Sequence, residues 1–531
     1  MVAKYIIITG GVLSGLGKGV VSASVGRLLS SKYKVVPMKC DGYLNVDPGT
    51  MNPTEHGEVF VLDDGAEVDL DFGHYERFLD INCKKPWNLT SGKIFHSLME
   101  KERKGEFLGK TVQVVPHVTR EIRQRFQKVA KEEKADLVLI EIGGTVGDIE
   151  NLWFLEACRE LVNDVGRENI LFIHLGLVPV IDAQGQQKTK PLQQSVDLLR
   201  QRGLFPDIII GRSKELLHND EREKLELRCN VGKGAVISDP DLESVYELPL
   251  IFEKEGLREA ICKKLDIEKH EDMAGWKKLV QNMESPKKEI TIAICGKYTG
   301  LADSYISILE ALIHCGAHQG AKVNVKWLET TDITNVAQAK ERLKGIDGMI
   351  VPGGFGSRGT EGKIHTITYA RENGIPFLGI CYGMQLAVAE FARNVCNLEK
   401  ANSTEIDEKT AHPVVDILPE QKEVTHKGGT MRLGAYPANL KKGTKIAELY
   451  GSLEASERHR HRYEVNPDYH SKLEGKDLVF SGMSPDGRLV EFIELKNHPY
   501  FVGTQGHPEL KSRLEHPAPL FMGLVEAALK R

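Results

Sequence analysis

The feature that most constrains this sequence is a glycine-rich turn between an apolar run and a helix-length segment near the start of the chain. The run Tyr5–Thr9 leads directly into GGVLSGLGKG, Gly10–Gly19, and the segment Val20–Ser30 follows. Glycines between a strand and a helix allow backbone N–H groups to close on phosphate oxygens at the helix N-terminus. The pattern therefore predicts a phosphate-binding loop in which Lys18 adds a positive charge, and a simple glycine turn is the less favoured alternative.

The loop departs at one position from the common nucleotide-binding pattern, in which a serine or threonine follows the lysine and contacts magnesium. Gly19 stands there and has no hydroxyl. A metal ion beside the loop would then need carboxylates from elsewhere. Asp71 and Glu141 are the candidates, because Glu141 follows the apolar run Leu137–Ile140 and ligands gather at the carboxyl ends of strands. Magnesium takes one or two carboxylates together with phosphate oxygens and water, although each acid taken alone is more commonly a solvated surface group.

Short β-branched runs alternate with helix-length segments, which predicts parallel sheets covered by crossover helices. The predicted strands are Tyr5–Thr9, Val35–Lys39, Leu137–Ile142, Ile170–Leu175, Ile208–Ile210 and Ala235–Ile237, then Ile290–Ile294, Val323–Trp327, Gly348–Val351 and Phe377–Ile380. Between the two groups, a strongly charged stretch is interpreted as a linker with a short helix around Trp276. The predicted fold class is α/β with two doubly wound domains, residues 1–265 and 289–531, joined by a linker at 266–288.

Charge balance and cysteine usage limit the classes of function. The 70 basic and 75 acidic residues give a net charge of −5, so general binding of nucleic acid through counterion release is not expected. The nine cysteines include no C-x-x-C pair, which argues against a disulfide framework or a structural zinc site and favours a reducing compartment. No apolar run approaches the roughly 18 residues that cross a bilayer. We expect a cytoplasmic globular protein that does not associate with membranes.

A second chemical motif lies where the run Phe377–Ile380 enters a G-I-C-Y-G turn around Cys381. Small flanking residues permit a tight turn that raises the thiol above the sheet, and the helix N-terminus that follows favours the thiolate. The stretch Val351–Gly356 offers backbone amides for an oxyanion. His507 could serve as the general base, oriented by Glu509. An inert core cysteine is the less favoured alternative.

Two lysines spaced by one residue follow the fourth predicted strand. Lys188 and Lys190 lie in the stretch QGQQKTKP, which begins at Gln184. A loop with this spacing suits a second triphosphate, whereas a solvated basic loop would be the commoner interpretation if the stretch stood alone. The sequence therefore predicts a second anionic ligand less firmly than the first.

Several long motifs occur together and in order: GGVLSGLGKG, NVDPGTMNPTEHGEVFVLDDGAEVDLDFGHYERF, KERKGEFLGKTVQVVPH, EIGGTVGDIE, KTKP, GKY, VPGGFGSRGTEGK, ANSTE, GGTMRLG and RHRHRYEVNP. On these motifs the chain resembles the CTP synthase family over essentially its whole length. The resemblance implies a P-loop-like amidoligase domain followed by a class I glutaminase domain. It implies transfer of the ATP γ-phosphoryl group to O4 of UTP, displacement of phosphate by ammonia, and supply of that ammonia from glutamine. It also implies Mg²⁺, activation by GTP, inhibition by CTP and a homotetramer, and family members are known to stack into filaments.

The resemblance assigns roles to individual residues. Lys18 and Lys39 would stabilise charge in phosphoryl transfer, and Cys381, His507 and Glu509 would hydrolyse glutamine. ATP would contact Gly15, Leu16, Gly17, Lys18, Gly19, Val20, Asp71, Pro240, Asp241 and Leu242, and magnesium would bind Asp71 and Glu141. UTP or inhibitory CTP would contact Ser14, Asp148, Ile149, Glu150, Lys188, Thr189, Lys190, Pro191, Leu192, Gln193 and Lys224. Glutamine would contact Gly354, Tyr382, Gly383, Met384, Gln385, Glu405 and Arg462, GTP would lie near Phe355, Arg358 and Glu361, and His56 would belong to the ammonia passage.

Five residues depart from the family pattern: Gly42, Leu192, Pro240, Tyr382 and Gly506. Leu192 stands where the family usually has threonine, so we expect it to remove a hydroxyl beside the pyrimidine nucleotide. Gly42 replaces a usual proline and is expected to loosen its loop. No predicted catalytic residue is missing, so we expect activity.

Two other functions compete with this interpretation. Another glutamine amidotransferase, similar to GMP synthetase or to a cobyrinate amidase, would also pair an ATP site with a glutaminase, but it would lack the EIGGTVGDIE and KTKP motifs. A catalytically idle structural protein is disfavoured because the predicted nucleophile, base, lysines and metal carboxylates are all present.

Overall fold

The computed structural model describes residues 3–51, 57–181, 185–297, 302–417 and 431–531 of the 531-residue chain. The chain forms two compact units, the first of residues 1–48 and 71–277 and the second of residues 49–70 and 278–531. The predicted division at 265 and 289 differs from this arrangement in two places. Residues 49–70 belong to the second unit, and the first unit extends to Lys277.

The described strands and helices run in the following order. The strands are β1 (Lys4–Gly10), β2 (Val35–Asp41), β3 (Phe60–Val61), β4 (Glu67–Val68), β5 (Asn88–Thr90), β6 (Leu137–Ile142), β7 (Ile170–Leu177), β8 (Val180–Ile181), β9 (Gln186–Gln187), β10 (Ile208–Ser213), β11 (Val236–Pro240), β12 (Lys288–Gly296), β13 (Ala321–Glu329), β14 (Gly348–Val351), β15 (Phe377–Ile380), β16 (Asn402–Ser403), β17 (Pro413–Ile417), β18 (Arg432–Leu440), β19 (Glu454–His461), β20 (Tyr463–Val465), β21 (Leu478–Met483), β22 (Val490–Leu495) and β23 (Phe501–Thr504). The helices are α1 (Lys18–Ser30), α2 (Asp71–Leu79), α3 (Ser91–Arg103), α4 (Thr119–Glu132), α5 (Leu152–Val165), α6 (Lys190–Gln201), α7 (Asn219–Arg228), α8 (Leu248–Lys254), α9 (Leu257–Leu265), α10 (Ala274–Glu284), α11 (Ile306–Gln319), α12 (Val336–Arg342), α13 (Thr360–Asn373), α14 (Tyr382–Asn394), α15 (Lys445–Tyr450), α16 (His470–Leu473) and α17 (Pro519–Leu529). No helix within the described ranges is both long and apolar enough to cross a membrane.

The first unit is built on a seven-stranded parallel sheet with the order β11-β10-β7-β1-β6-β2-β5. β1 is the central strand, and its residues Ile6–Ile8 are fully buried. Burial on both faces is typical of parallel strands that are covered by helices on both sides. The chain extends the sheet in one direction from β1 through β6 and in the other through β7. The carboxyl end of β1 is therefore a topological switch point, where open α/β sheets bind their ligands.

The second unit contains a nine-stranded mixed sheet with the order β13-β12-β14-β15-β23-β22-β21-β18-β19. The strands from β13 to β23 are parallel, and those from β23 to β19 are antiparallel. The ten predicted strands of the two units are confirmed, with small shifts at their ends. The antiparallel half was not predicted, because a strand such as β19, EASERHRH, carries charged or polar residues at most positions and has no apolar run.

The segment interpreted as a linker contributes to a core. The predicted helix around Trp276 is confirmed as α10, but Trp276 is completely buried in the first unit. Its ring packs against Phe78 and Tyr246, and its Nε1 donates a 2.8 Å hydrogen bond to the Tyr246 carbonyl. The guanidinium of Arg27 lies 4.9 Å from the Trp276 ring centroid. A charged sequence around one large aromatic residue thus anchors the end of the first unit.

Leu192 has a different environment from the one expected. Its side chain is fully buried in a hydrophobic cluster with Val178, Val196 and Ile209, between α6 and the sheet. The assignment of residue 192 to the pyrimidine nucleotide stays a prediction, and its side chain is buried among apolar groups. Leucine at this position fills the core, and a hydroxyl here would be surrounded by apolar groups.

We predict that Leu192→Thr lowers the stability of the protein. A hydroxyl buried without a partner costs about 1–3 kcal/mol, in addition to the lost apolar contacts. Thermal and urea unfolding of Leu192→Thr should show a loss of that size. Leu198→Thr, on the same helix at a half-exposed position, is the control and should be nearly neutral. An unchanged stability together with a shifted UTP titration would contradict this expectation.

Candidate functional site

One lysine and three carboxylates meet at the carboxyl ends of β2 and β6 in the first unit. The Lys39 ammonium hydrogen-bonds to Asp71 at the start of α2 and lies 2.9 Å from Glu141 Oε1. Asp41 Oδ1 is 3.7 Å from the same nitrogen. Tyr75 Oη donates a 2.6 Å hydrogen bond to Glu141 Oε2 and fixes that carboxylate. The structure thus brings Lys39, Asp71 and Glu141 to one point.

This point carries an excess of negative charge. Burial raises the pKa of Asp41 to about 6, because the attraction of Lys39 offsets burial only in part and Asp71 and Glu141 repel the charge. Three carboxylates around one ammonium leave the site net negative when all of them are ionised. A divalent cation is therefore electrostatically compatible with Asp71 and Glu141.

Gly19 makes room for this arrangement. A Cβ at Gly19 would lie 2.0 Å from Asp71 Oδ1, so a larger residue would displace the carboxylate. In the common nucleotide-binding pattern this position carries the hydroxyl that contacts magnesium. Here the Asp71 carboxylate occupies the space of that side chain. The geometry supports the interpretation that a carboxylate takes the place of the missing hydroxyl.

The glycine-rich loop brings Lys18 close to the same edge of the sheet. Gly15 and Gly17 have φ values of 76° and 90°, a region that favours glycine. Lys18 opens α1, is buried, and donates a 2.7 Å hydrogen bond from Nζ to the Gly144 carbonyl. Burial lowers the pKa of Lys18, although the charge of Glu141 opposes this effect. The Lys18 ammonium is thus close enough to Glu141 to be favoured by its negative charge.

The residues predicted to bind the pyrimidine nucleotide lie around α6 and the loop after β6. Asp148, Ile149 and Glu150 are exposed after β6, and a Cβ at Gly147 would lie 3.7 Å from Leu198 Cδ1 of α6. Ser14 in the glycine-rich loop and Lys190 are exposed, and Lys188 and Pro191 are half-buried. Thr189 and Gln193 are buried and hydrogen-bonded to each other at 3.0 Å. Lys224 is exposed on α7.

Gly42 lies at a close approach of two loops, and Pro240 lies at the end of an edge strand. A Cβ at Gly42 would lie 2.7 Å from Glu150 Cβ, so the glycine permits a close approach of the loop after β6. Pro240 ends the edge strand β11 and is buried. Arg212 bridges this strand end by donating to Asp239 Oδ1 at 2.9 Å and to Asp241 Oδ1 at 2.8 Å. Leu242 is half-buried beside it.

Cys381 occupies a strained turn between β15 and α14 in the second unit. Its φ of 51° and ψ of −104° are unusual for a residue with a side chain. A Cβ at Gly383 would lie 2.0 Å from the Val351 carbonyl oxygen, and a Cβ at Gly379 would lie 2.9 Å from the Gly383 backbone. Strain of this kind costs about 1–3 kcal/mol and is concentrated at functional sites. The geometry matches the predicted nucleophile elbow.

His507 is held as an acid–base group beside this turn. Its Nδ1 lies 2.8 Å from Glu509 Oε1, and its Nε2 has no hydrogen-bond partner among the described residues. Burial disfavours a charged ring, but the negative charges of Glu509 and Cys381 outweigh burial and raise the pKa of His507 to about 10. A Cβ at Gly353 would lie 2.8 Å from His507 Cε1, so the loop after β14 packs closely against the ring. At neutral pH the ring carries a proton that it can give to a leaving group.

The loop after β14 is fixed on both sides of Gly356. The Gly356 N–H donates to Glu405 Oε1 at 2.8 Å, and Tyr382 Oη donates to the Gly356 carbonyl at 2.8 Å. Thr360 Oγ1 lies 2.8 Å from the same Tyr382 oxygen. Lys363 Nζ lies 5.1 Å from the Tyr382 ring centroid, and burial lowers the pKa of Lys363 to about 8. The tyrosine that replaces the usual leucine thus joins the elbow to the candidate oxyanion loop.

Gln505 and Lys363 were not singled out from the sequence. Gln505 Nε2 lies 3.6 Å from Cys381 Sγ, and its Oε1 accepts a 3.2 Å hydrogen bond from Gln385 Nε2. Gln385 also donates to the Tyr463 carbonyl at 2.8 Å. For Gln505, the available sequence signal was its position two residues before His507. Lys363 had none, because a lysine near the start of a helix is usually solvated.

The remaining residues that were predicted to bind glutamine or GTP in the second unit differ in exposure and in their contacts. Gly354, Phe355 and Arg358 are exposed, Glu361 forms a 2.9 Å ion pair with Arg393, and Arg462 is half-buried after β19. Met384 is buried in the hydrophobic core, and its predicted contact with glutamine stays a prediction. Gly506 permits the close packing of Glu457, whose Cβ would be 2.7 Å from an added Cβ. His56 lies outside the described residues.

Comparisons with known proteins agree with this geometry. The family model for the CTP synthase N-terminus matches residues 4–267, and the model for class I glutamine amidotransferases matches residues 300–527. A CTP synthase of Methanocaldococcus jannaschii is 56% identical, with 99% of each chain covered. A CTP synthase of Archaeoglobus fulgidus is 54% identical over 99% of this chain and 98% of the relative. A solved glutaminase domain of Trypanosoma brucei CTPS with bound acivicin is 35% identical, covers 46% of this chain and 94% of that chain, and has a TM-score of 0.43.

The elbow, the histidine–glutamate pair and the matching model define the second unit as a class I glutamine amidotransferase domain. The whole chain belongs to the CTP synthase family. It is a glutamine-hydrolysing ligase of pyrimidine biosynthesis that uses ATP and glutamine to aminate UTP. The resemblance and the α/β architecture that the sequence predicted are therefore confirmed.

We predict that Gly19→Ala disables the first site while sparing the second. The added methyl group would collide with Asp71 and move its carboxylate away from Lys39 and Glu141. CTP synthesis from UTP, ATP and ammonium should fall by at least tenfold, whereas glutamine hydrolysis should remain measurable. Gly232→Ala is the control, because an added Cβ there meets nothing within 4 Å. Normal ammonia-dependent synthesis by Gly19→Ala would contradict the role given to Asp71.

Proposed function

We propose that each unit performs one half of the synthesis of CTP and that the residues described above carry out the two halves. The observation that carries this proposal is the pairing of two complete groups on one chain. The first is the Lys39, Asp71 and Glu141 cluster beside a phosphate loop, and the second is the Cys381 elbow beside His507. Each group has the composition that its half-reaction needs.

In the first unit, Lys18 and Lys39 stabilise the charge that develops as the γ-phosphoryl group passes from ATP to O4 of UTP. A carbonyl oxygen is a poor leaving group, and phosphorylation converts it into a good one. Ammonia then attacks C4, phosphate leaves, and one proton is lost to give CTP. The exposed acids after β6 and the lysines before α6 bind the pyrimidine nucleotide, and the end of β11 lies beside the adenine.

Magnesium is the metal that fits Asp71 and Glu141. The two carboxylates already converge on a cationic group, and magnesium favours one or two carboxylates together with phosphate oxygens. When bound, it would neutralise charge on the transferring phosphoryl group. Asp71 and Glu141 would hold it, and Tyr75 would keep the Glu141 carboxylate in place.

In the second unit, the Cys381 thiolate attacks the side-chain amide carbon of glutamine. The Gly354 amide and the amide of the residue after the nucleophile bind the oxyanion, and His507 gives a proton to the departing ammonia. His507 then takes a proton from water, which attacks the thioester and releases glutamate. Gln385, Glu405 and Arg462 hold the substrate. GTP activates this half from a position near Phe355, Arg358 and Glu361.

The oligomer that we propose is a homotetramer formed through the first unit. Within residues 99–115, in and after α3, four large apolar side chains are exposed, namely Met99, Leu108, Val114 and Val115. Contiguous exposed apolar groups mark interaction surfaces. We also place the protein in the cytoplasm, and its nine free cysteines suit a reducing compartment.

We predict that Cys381→Ala makes no CTP with glutamine, because no other group in the turn can form the thioester. The first unit needs only ammonia, so the variant should keep near wild-type rates with ammonium salt at alkaline pH, where more ammonia is neutral. Coupled assays with each nitrogen source test both statements. Synthesis from glutamine would disprove the nucleophile assignment, and loss of ammonia-dependent synthesis in a folded variant would show that the halves are not separable.

We predict that sedimentation gives the wild-type protein four times the 59.2 kDa mass of the chain. Leu108 is 88% exposed, and Leu108→Asp should yield smaller assemblies because it places a charge on the apolar surface. Leu227→Asp is the control, since Leu227 is 80% exposed on α7, outside this surface. A monomeric wild-type protein, or equal effects of the two substitutions, would refute the proposed interface.

A further inference from the structure

Residues 49–70 lie between two segments of the first unit in sequence but belong to the second unit. Their hairpin, β3 and β4, packs beside β19. Two ion pairs join the segment to that strand. Asp63 Oδ1 accepts a 2.6 Å hydrogen bond from Arg458 Nε, and Glu67 Oε1 accepts a 2.8 Å hydrogen bond from Arg460 Nε. The two arginines are two residues apart, so they lie on the same face of β19.

Arg458 also holds the turn that carries the acid–base pair. The backbone carbonyl of Arg458 accepts a 2.7 Å hydrogen bond from the His507 N–H. Its Nη1 donates to the Leu510 carbonyl at 3.2 Å. The two contacts lie at the ends of the segment His507–Leu510, which contains Glu509. The guanidinium is completely buried and lies 5.4 Å from the Phe60 ring centroid, so its position is fixed by packing as well.

Asp63 is the anion at the centre of this arrangement. Besides Arg458, it faces Lys511 Nζ at 4.0 Å, and Lys511 lies in the same turn as His507. Burial opposes the ionisation of Asp63, but Arg458, Lys511 and Arg513 together lower the pKa of Asp63. All three cations come from β19 or from the segment after His507. The carboxylate therefore balances positive charge next to the acid–base pair.

Among the described residues, no contact joins the neighbouring ion pair, Arg460–Glu67, to the turn of His507. Arg460 Nη2 donates to the Gly49 carbonyl at 3.3 Å, and Glu67 packs against Gly49. Both contacts stay within residues 49–70 and β19. Both ion pairs thus join the same hairpin to the same strand. They differ because Arg458 contacts the turn of His507, whereas the contacts described for Arg460 do not include that turn.

We propose that Asp63 is a positioning residue for glutamine hydrolysis, acting through Arg458 on the turn that carries His507 and Glu509. This inference rests on the proposed role of His507. Proton transfer depends closely on geometry, and a displacement of about 1 Å can cost as much as a hundredfold in rate. Without the Asp63 charge, the buried guanidinium loses the counter-charge that it contacts at 2.6 Å, and the turn that it supports loses its fixed position. A segment from within the ATP-binding half of the sequence is in this way part of the glutaminase.

The test compares Asp63→Asn with its matched control Glu67→Gln, since each removes one charge and keeps the size of the side chain. We expect Asp63→Asn to lower kcat for glutamine hydrolysis about tenfold, with KM changed less than twofold because Gln385 and Glu405 are not disturbed. CTP synthesis from ammonium should stay near wild type. Glu67→Gln should match the wild type in all three measurements.

A double-mutant cycle that combines Asp63→Asn with Arg458→Lys is a second test of the proposal. It also applies if one of the single variants folds poorly. Arg458→Lys should reproduce the loss in kcat, because lysine cannot bridge Asp63 and Leu510 together. The kcat of the double variant should be no lower than that of the less active single variant, as expected for residues that act as one unit. Additive losses would overturn the proposal. A loss confined to KM, or equal behaviour of Asp63→Asn and Glu67→Gln, would overturn it as well.

Cys381→Ala, assayed beside these variants, separates the two levels of the inference. Glutamine hydrolysis by Cys381→Ala would refute the site itself, and the role of Asp63 with it. An inactive Cys381→Ala together with a fully active Asp63→Asn would refute the role of Asp63 alone. Ammonia-dependent synthesis that falls in parallel with glutamine hydrolysis in Asp63→Asn would show a general defect and also count against the proposal.

Discussion

Both sites depend on the absence of a Cβ at a few backbone positions. Asp71 reaches Lys39 because a side chain is missing at Gly19, and the Cys381 turn closes because Gly383 lies against the Val351 carbonyl. Protein interiors are packed as densely as organic crystals, so one methyl group at such a contact cannot be absorbed by small adjustments. The glycines do not take part in the chemistry. They set the distances at which the charged and nucleophilic groups can meet.

Charge inside this protein is consistently compensated by nearby charge. In the first unit, the Lys39 ammonium is surrounded by carboxylates. In the second unit, Arg432 forms ion pairs of 3.0 Å with Glu464 and 2.7 Å with Glu491, and all three side chains are largely buried. Buried charges are tolerated when they are paired and hydrogen-bonded. This pairing allows the Arg432 charge of β18 to lie among the buried strands of the second unit.

Much of the fold was predictable, because parallel strands that are buried on both faces produce apolar runs in the sequence. Most of the ten predicted strands are of this kind, although the edge strand β13 is only half-buried. The glycine-rich loop and the cysteine turn follow two of the buried strands. The antiparallel strands could not be found in the same way, since β19 is buried through ion pairs instead of apolar side chains. The burial of the Leu192 side chain was not predicted, because a motif match does not show which face of α6 is turned toward the sheet. Residues that act through their neighbours, such as Gln505, left almost no sequence signal.

The second unit is made of two separate stretches of the sequence, and this limits how a gene for such a protein could be divided. Residues 49–70 are separated from the rest of that unit by more than two hundred residues of the first. A single break in the coding sequence therefore cannot produce two polypeptides that each contain one whole unit. A chain that starts at residue 278 would lack the hairpin that lies on β19, and a chain that ends at residue 277 would carry that hairpin without its strand. The path of the polypeptide thus keeps both whole units within one reading frame.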